Sequence, residues 1–198
     1  LSLKIMIKTS VKKITIILPN LLGGGAEKNF NVLSSEWSFK NIVTEFVLLE
    51  KKGIFLKNLQ GSTKIINLNA KNSINAFYPI LNYLKKNTSD IIIVNLWPLT
   101  IITLIANLLV FKKNKIIIMD HQILSKSYSK RFNNYRWYLN LSVKLFYNLA
   151  DKVFCVSNSV KKDLIKLGVK KNKIDVIYNP INLKKIINKS YLDFISNF

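Results

Sequence analysis

The segment that decides the fold covers residues 150–168 and reads ADKVFCVSNSVKKDLIKLG. Its first part, Lys152 to Val156, is a short apolar run of the kind that forms a buried β-strand. The next part, Ser159 to Leu167, repeats apolar residues at the spacing of an α-helix. The residues on that apolar face are Val160, Leu164 and Leu167. The segment therefore predicts a strand that leads directly into an amphipathic helix.

The two ends of this helix carry recognisable signals. A serine is available as the N-cap, and Asp163 is expected in the first turn, where a carboxylate interacts favourably with the helix dipole. Gly168 follows the last apolar position, where helices often end on a residue with a left-handed backbone.

Strands and helices alternate along the rest of the chain as well. Apolar runs predict six more strands: Lys13 to Leu18, Ile42 to Leu49, Lys64 to Leu68, Ile91 to Val94, Lys115 to Met119 and Ile174 to Ile177. Amphipathic segments of helical length lie between them, including Ala26 to Phe39 and Asn75 to Lys86. Apolar strands that alternate with helices predict a mainly parallel sheet covered on both faces. The expected fold is therefore α/β, doubly wound and Rossmann-like.

One segment, Ile91 to Phe111, is long and apolar enough to imitate a transmembrane helix. It contains Asn95, Pro98 and Asn107, and its β-branched beginning is followed by the proline. A strand, a turn and a buried helix explain this pattern better than a membrane span.

The composition excludes a disordered chain, because 49% of the 198 residues are apolar, which suffices for one or at most two domains. Its charge is unusual: 31 basic and 10 acidic residues give a formal +21, and only Arg131 and Arg136 are arginine. Two interpretations stay open, a coding bias toward Lys, Asn and Ile or attraction to a polyanion such as an anionic membrane surface. Nucleic-acid binding is disfavoured, because no zinc-finger spacing, RNP-type strand or arginine-rich patch accompanies the charge.

Single copies of cysteine and histidine limit the chemistry further. Cys155 is the only cysteine, so no disulfide can form within the chain and a reducing compartment is expected. With His121 as the only histidine, a Cys/His zinc site cannot be built. The beginning, Leu1 to Asn20, lacks a long apolar region and a cleavage site, so we interpret it as the first strand rather than a signal peptide.

Three polar or glycine-rich segments follow predicted strands and are candidates for a site. LLGGGAE at 21–27 precedes a predicted helix, whose N-terminus attracts anions such as a diphosphate, although a tight turn explains the glycines equally well. MDHQ at 119–122 ends a central strand and opens a polar segment, His121 to Asn134, which we predict to be a loop. Ser157 begins the helix after another strand. A Ser-His-Asp hydrolase is disfavoured, because no G-x-S-x-G elbow occurs and Asp120 directly precedes His121.

Four motifs in this order make the chain similar to the N-terminal domain of family 4 glycosyltransferases. They are the G-G-A-E turn at Gly24 to Glu27, the histidine after a central strand at His121, the A-D-x-hydrophobic-x-x-V-S segment at Ala150 to Ser157, and the K-I-x-V-I-x-N-x-(I/V)-(D/N) run at Lys173 to Asn182 after Gly168. The resemblance covers about residues 13 to 185.

The resemblance implies the N-terminal half of a GT-B fold and a retaining transfer of a hexosyl-type group from a nucleotide-sugar to a glycan or lipid-linked acceptor, in cell-envelope synthesis. It implies no metal and no cofactor besides the donor, and no D-x-D motif occurs in the sequence. By the same resemblance His121 is the catalytic contact to the donor sugar. We expect Glu27 to belong to the helix N-terminus, where a carboxylate is favourable to the dipole, rather than to catalysis. The residues expected at the donor diphosphate or the acceptor are Gly23, Gly24, Gly25 and Ser157.

The chain departs from the family pattern in one respect. Family members bind the donor chiefly through a second Rossmann-like domain with an E-x7-E motif, whereas the last glutamate here is Glu50. We therefore expect residues 1–182 to form the acceptor-side domain, residues 183–198 to be a connection or a truncated tail, and the chain alone to be inactive. An inactive acceptor- or membrane-binding fragment is the alternative. The expected location is cytoplasmic, including the periphery of the membrane, with no nucleic-acid partner.

Overall fold

The computed structural model describes residues 12–59, 63–111, 114–129 and 136–179. All seven predicted strands are present, within two residues of their expected ends. They are β1 Lys13–Leu18, β2 Val43–Leu48, β3 Lys64–Asn67, β4 Ile91–Val94, β5 Lys115–Asp120, β6 Lys152–Cys155 and β7 Ile174–Val176. The strands form one parallel sheet in the order β3-β2-β1-β4-β5-β6-β7. The predicted doubly wound α/β fold is confirmed.

The helices of the described residues are α1 Gly25–Ser38, α2 Phe77–Lys86, α3 Leu99–Leu109, α4 Leu124–Ser129, α5 Arg136–Phe146 and α6 Asn158–Lys166. The loop prediction for His121 to Asn134 is wrong where α4 forms. Leu124 is fully buried there, and the Ser125 amide donates a hydrogen bond to the Asp163 carboxylate at 3.1 Å. Tertiary contacts thus stabilise a helix that its polar sequence does not indicate. The predicted tail at 183–198 lies outside the described residues.

The helices divide unequally between the two faces of the sheet. α1 covers one face, where Phe30 and Trp37 pack with alternate strand residues such as Ile16. The other helices lie on the opposite face, whose core includes Ile80, Leu104, Leu124, Val143 and Leu164. Side chains of this size stabilise the fold by about 1.5–3 kcal/mol each when fully buried. β1 and β4 are neighbours, yet the chain leaves them toward opposite faces, which makes their carboxyl ends the switch point where such sheets bind ligands.

The helix α6, which follows β6, has the predicted end but begins earlier than predicted. Gly168 has φ of +95°, and the Val169 amide donates to the Leu164 carbonyl at 3.0 Å, which completes a Schellman C-cap. Ser157 is the N-cap, because its hydroxyl oxygen accepts from the Val160 amide at 3.3 Å. Asp163 consequently lies beyond the first turn, and its predicted role at the helix dipole is wrong.

The apolar segment from 91 to 111 folds as predicted into β4, a turn and α3. The peptide bond between Trp97 and Pro98 in that turn is cis. Among the residues that the structure describes, no helix has the length and apolar character needed to cross a membrane.

Candidate functional site

The glycine turn after β1 is organised around the carboxylate of Glu27. Glu27 Oε2 accepts hydrogen bonds from the amides of Gly23 at 2.6 Å and Gly24 at 2.8 Å. A carboxylate in the first turn of α1 also interacts favourably with the helix dipole. Glu27 therefore has the position expected of it, and it occupies two of the amides that the sequence suggested for a ligand.

The open part of the turn is the start of α1 itself. A Cβ atom added at Gly25 would meet nothing within 4 Å. The first amides of a helix have no partner within it, and no described group accepts from those of Gly25 and Ala26. An anion that approaches α1 would therefore meet Gly25 and Ala26 before the two preceding glycines.

A second loop fixes this turn in place. The Leu21 amide donates to the Lys52 carbonyl at 2.9 Å, and the Phe55 amide donates to the Leu21 carbonyl at 3.3 Å. Gly53 makes the approach possible, because it has φ of +131° and an added Cβ would lie 1.9 Å from the Leu21 backbone. The segment after β2 therefore supports the glycine turn.

His121 lies at the exit of β5, on the side of the sheet that α1 covers. Its ring meets Phe30 of α1 edge to face, with centroids 6.0 Å apart. Burial lowers the pKa of His121 to about 4, so the imidazole is neutral at physiological pH. Both ring nitrogens are shielded from solvent, and neither has a hydrogen-bond partner among the described residues. A neutral ring offers one donor and one acceptor to a ligand.

Asp120 precedes His121 but faces the other side of the sheet, as strand alternation requires. Asp120 is 1% exposed, and its pKa is raised to about 7, chiefly by burial. The neighbouring Tyr147 lowers this pKa and the charge of Asp163 raises it, both by less than burial does. Neither carboxyl oxygen has a hydrogen bond within 3.5 Å to any described residue. Asp120 is therefore not placed to orient His121, in agreement with the rejection of a Ser-His-Asp triad.

Ser157 lies on the strand exit next to that of His121. The Val156 amide donates to the Asp120 carbonyl at 3.3 Å, which holds the exits of β6 and β5 together. Because the Ser157 oxygen already accepts from the Val160 amide, its hydroxyl proton and one lone pair are left for a ligand. Its contact with a ligand stays a prediction, as do those of the three glycines.

Sequence reasoning missed Asn95, which directly follows β4 at the switch point. Asn95 is fully buried, and both polar atoms of its side chain lack partners within the described part of the chain. Asn95, Asp120 and His121 thus place unpaired buried polar groups at the exits of two adjacent strands. Such groups cost about 1–3 kcal/mol each and are uncommon, which makes this edge a candidate site. The signal was an asparagine that interrupts an apolar run at the end of a strand.

An aromatic cavity of about 870 Å³ lies beside these exits, on the face that carries α2, α3 and α5. Its lining residues are Ile74, Phe77, Tyr78, Trp97, Pro98, Ile101, Ile102, Ile105, Tyr128 and Tyr138. The rings of Trp97 and Tyr128 are 4.7 Å apart, and the Tyr128 hydroxyl donates to the Trp97 carbonyl at 2.5 Å. Sequence reasoning missed this aromatic cavity because its residues come from four separate segments.

The sheet order, the switch point and the polar exits define a Rossmann-like domain of the kind found in GT-B proteins. Its fold is similar to that of Anabaena HepE, solved in complex with UDP and glucose, at 18% identity and a TM-score of 0.64, covering 87% of this chain and 46% of HepE. It is similar to the lipopolysaccharide outer core galactosyltransferase WaaB, solved in its apo form, at 17% identity and a TM-score of 0.61, covering 85% and 46%.

A Rickettsia bellii UDP-N-acetylglucosamine 2-epimerase has the same fold at 12% identity and a TM-score of 0.60, covering 93% of this chain and 49% of the epimerase. The fold alone therefore does not separate transfer from epimerisation. In all three comparisons the chain spans less than half of the solved protein. Comparison with curated protein sequences gives no match.

A family model supplies a second comparison, based on sequence. The model of Glycosyltransferase Family 4 matches residues 55–185, which is more than half of the chain. This chain belongs to Glycosyltransferase Family 4. The match includes His121 and Ser157, whereas the glycine turn at 23–25 precedes it.

Proposed function

We propose that this domain is the acceptor-side half of a sugar-transfer site that uses a nucleotide-sugar donor. The supporting observation is the concentration of unpaired buried polar groups around His121, within the segment that matches the family. In the proposed reaction the bond between the anomeric carbon and the diphosphate breaks, and its electron pair leaves on the diphosphate. The acceptor oxygen then binds that carbon with retention of configuration, and its proton passes to an oxygen of the departing diphosphate.

His121 is the proposed contact to the donor sugar. A neutral imidazole can donate to one sugar hydroxyl and accept from another without adding a positive charge. A ligand hydroxyl reaches the ring nitrogens only if the side chains that shield them shift slightly, because both nitrogens are buried. Binding is favourable because it gives hydrogen-bond partners to the buried ring nitrogens of His121, which otherwise have none among the described residues.

The open amides at the start of α1 are the proposed contact to the donor diphosphate. Helix N-termini bind phosphates through free N–H groups and the positive end of the dipole. Gly25 and Ala26 retain such groups, whereas Gly23 and Gly24 donate to Glu27. We propose that the remaining donor contacts come from the half of the solved relatives that this chain does not span. The domain itself is proposed to act in the cytoplasm or at the membrane periphery, without a metal.

The test is a transfer assay in a protein that joins this domain to a donor-binding half. Replacement of His121 by Ala should lower kcat by about 100-fold or more, as loss of a group that contacts the reacting sugar does, with an unchanged melting temperature. Phe39→Ala, at an exposed residue at the end of α1, is the matched control and should leave the rate unchanged. An unchanged rate for His121→Ala, or formation of an epimerised nucleotide-sugar without transfer, would contradict the proposal.

A further inference from the structure

We infer that the aromatic cavity binds the hydrocarbon chain of a lipid-linked, anionic acceptor. The inference rests on the proposed function, since it assigns the acceptor of that same site to a chemical class. It is carried by four features of the cavity: its position, its lining, its mouth and the charge of the chain.

The position joins the aromatic cavity to the candidate site. Trp97 and Pro98 in its wall directly follow Asn95 at the exit of β4. Tyr128 belongs to α4, which follows His121, and the Gln122 side-chain amide donates to the Tyr128 hydroxyl at 3.4 Å. The cavity therefore lies at the same edge of the sheet as His121 but on the opposite face. An acceptor can place its reactive end near His121 and its chain in the cavity.

The lining selects hydrocarbon over sugar. The indole N–H of Trp97 donates to Ser142 at 3.1 Å, and the Tyr128 hydroxyl donates to the Trp97 carbonyl. Two of the polar groups in the wall are therefore already paired within the protein. Sugar hydroxyls would lose their water without enough new partners, whereas apolar surface gains about 25 cal/mol per Å² on burial. A volume of about 870 Å³ lies within the range of sites that enclose small ligands.

The mouth of the aromatic cavity continues into an exposed apolar surface. Ile74 and Tyr78 on its rim are 77% and 72% exposed. On the other side, the exposed residues Trp137, Leu141 and Leu145 follow one another at helical spacing along α5, and the ring of Trp137 lies 6.1 Å from that of the lining residue Tyr138. Surfaces of this kind mark contacts with lipid or protein, and tryptophan is suited to the membrane interface. A lipid chain can thus enter from a bilayer on which α5 rests.

The charge of the chain decides between the occupants. A second copy would bring two surfaces of net charge +21 together, which self-repulsion opposes. An anionic lipid meets the opposite situation, since a basic chain attracts a negatively charged headgroup. The occupant that fits both the apolar wall and the basic chain is a single hydrocarbon chain with a phosphate headgroup.

The test is a calorimetric measurement of the affinity of this chain for dodecyl phosphate, below the critical micelle concentration of the lipid. We expect saturable binding that inorganic phosphate at the same concentration does not displace, and at least a ten-fold weaker affinity in the double variant Ile74→Asp, Tyr78→Asp. Both residues are exposed, so the fold should survive, and Phe39→Asp is a control at a residue of similar exposure on the α1 side.

Several results would overturn the inference. They are equal affinities in the double variant and the wild type, binding to anionic vesicles without binding of single dodecyl phosphate molecules, and concentration-dependent dimerisation abolished by the double variant. Failure of the proposed function is distinguishable, because this assay contains no nucleotide-sugar. Transfer without lipid binding rejects the inference alone, and lipid binding in an enzyme that transfers nothing rejects the proposed function.

Discussion

The glycine turn and the aromatic cavity lie at the same edge of one sheet and differ in almost every physical property. The turn offers backbone amides and the positive end of α1, and its own Glu27 already satisfies part of that capacity. The cavity offers aromatic and aliphatic side chains, and two of its polar groups are bonded inside the protein. This difference is the basis of our proposals that phosphate and sugar bind on the α1 side and hydrocarbon on the other.

Strand alternation produces this division. The consecutive residues Asp120 and His121 leave β5 toward opposite faces, one toward Tyr147 and the other toward Phe30. The shift of one residue along the chain therefore changes the environment of the side chain. Burial disfavours the charged form on both faces, so it raises the pKa of the Asp120 carboxyl and lowers that of the His121 imidazole. Variants on one side should leave the other side unaffected.

A large effect on stability is expected on the α1 side. Gly53→Ala places a Cβ 1.9 Å from the backbone of Leu21 at a positive φ, which should lower the free energy of unfolding by about 2–4 kcal/mol. Gly25→Ala is the matched control, because its Cβ points into open space, and it should stay within about 0.5 kcal/mol of wild type. Urea unfolding measures both. Equal stabilities of the two variants would contradict the role of Gly53 in supporting the glycine turn.

These particular residues also mark what the sequence could predict. The apolar runs and the helix stop at Gly168 are local signals, so the strands, α6 and the sheet class followed from them. The formation of α4 and of the aromatic cavity depends on partners that are distant in sequence. The hydrogen bonds of Glu27 depend on which of several acceptors a backbone amide selects. His121 and Ser157 were placed correctly at strand exits, but their orientation, and the burial of Asn95, are set by packing that no local pattern contains.

The next effect, on the cavity side, is a dependence of the free energy of unfolding on pH. The pKa of Asp120 is about 7 in the folded chain against an ordinary value of 3.8, so the folded state binds this proton more tightly and loses stability as the pH rises through that window. Asp120→Asn removes the effect. The variant should gain on the wild type by up to about 1.4 kcal/mol per pH unit between pH 4 and 7, and the difference should level off above pH 8.

His121 acts in the opposite direction in the same experiment. Its folded pKa of about 4 lies below the ordinary 6.5, so stability falls as the pH drops from 6.5 toward 4. This contribution is present in both chains and cancels in their difference. Parallel stability curves of wild type and Asp120→Asn, measured by urea unfolding across the pH range, would show that Asp120 is not buried as a neutral acid.

The smallest effect concerns the carboxylate in the glycine turn. Glu27→Gln replaces a charged acceptor of two amides with a neutral one and weakens the interaction with the α1 dipole, which should cost about 1 kcal/mol. Glu36→Gln, near the other end of the same helix, is the control and should cost nothing, because a negative charge there opposes the dipole. Thermal unfolding compares them. A larger loss for Glu36→Gln would contradict this organisation of the turn.

The central claim is that one edge of the sheet divides into a sugar side and a hydrocarbon side. It is tested most directly by transfer kinetics against lipid-linked acceptors of increasing chain length, in the protein that contains both halves. We predict that KM falls with the length of the acceptor's hydrocarbon chain in the wild type. The double variant Ile74→Asp, Tyr78→Asp should abolish this trend at unchanged kcat, and His121→Ala should lower kcat equally for acceptors of every chain length. The division into a sugar side and a hydrocarbon side would be contradicted if the wild-type KM were independent of acceptor chain length. It would also be contradicted if the cavity variant lost as much kcat as His121→Ala.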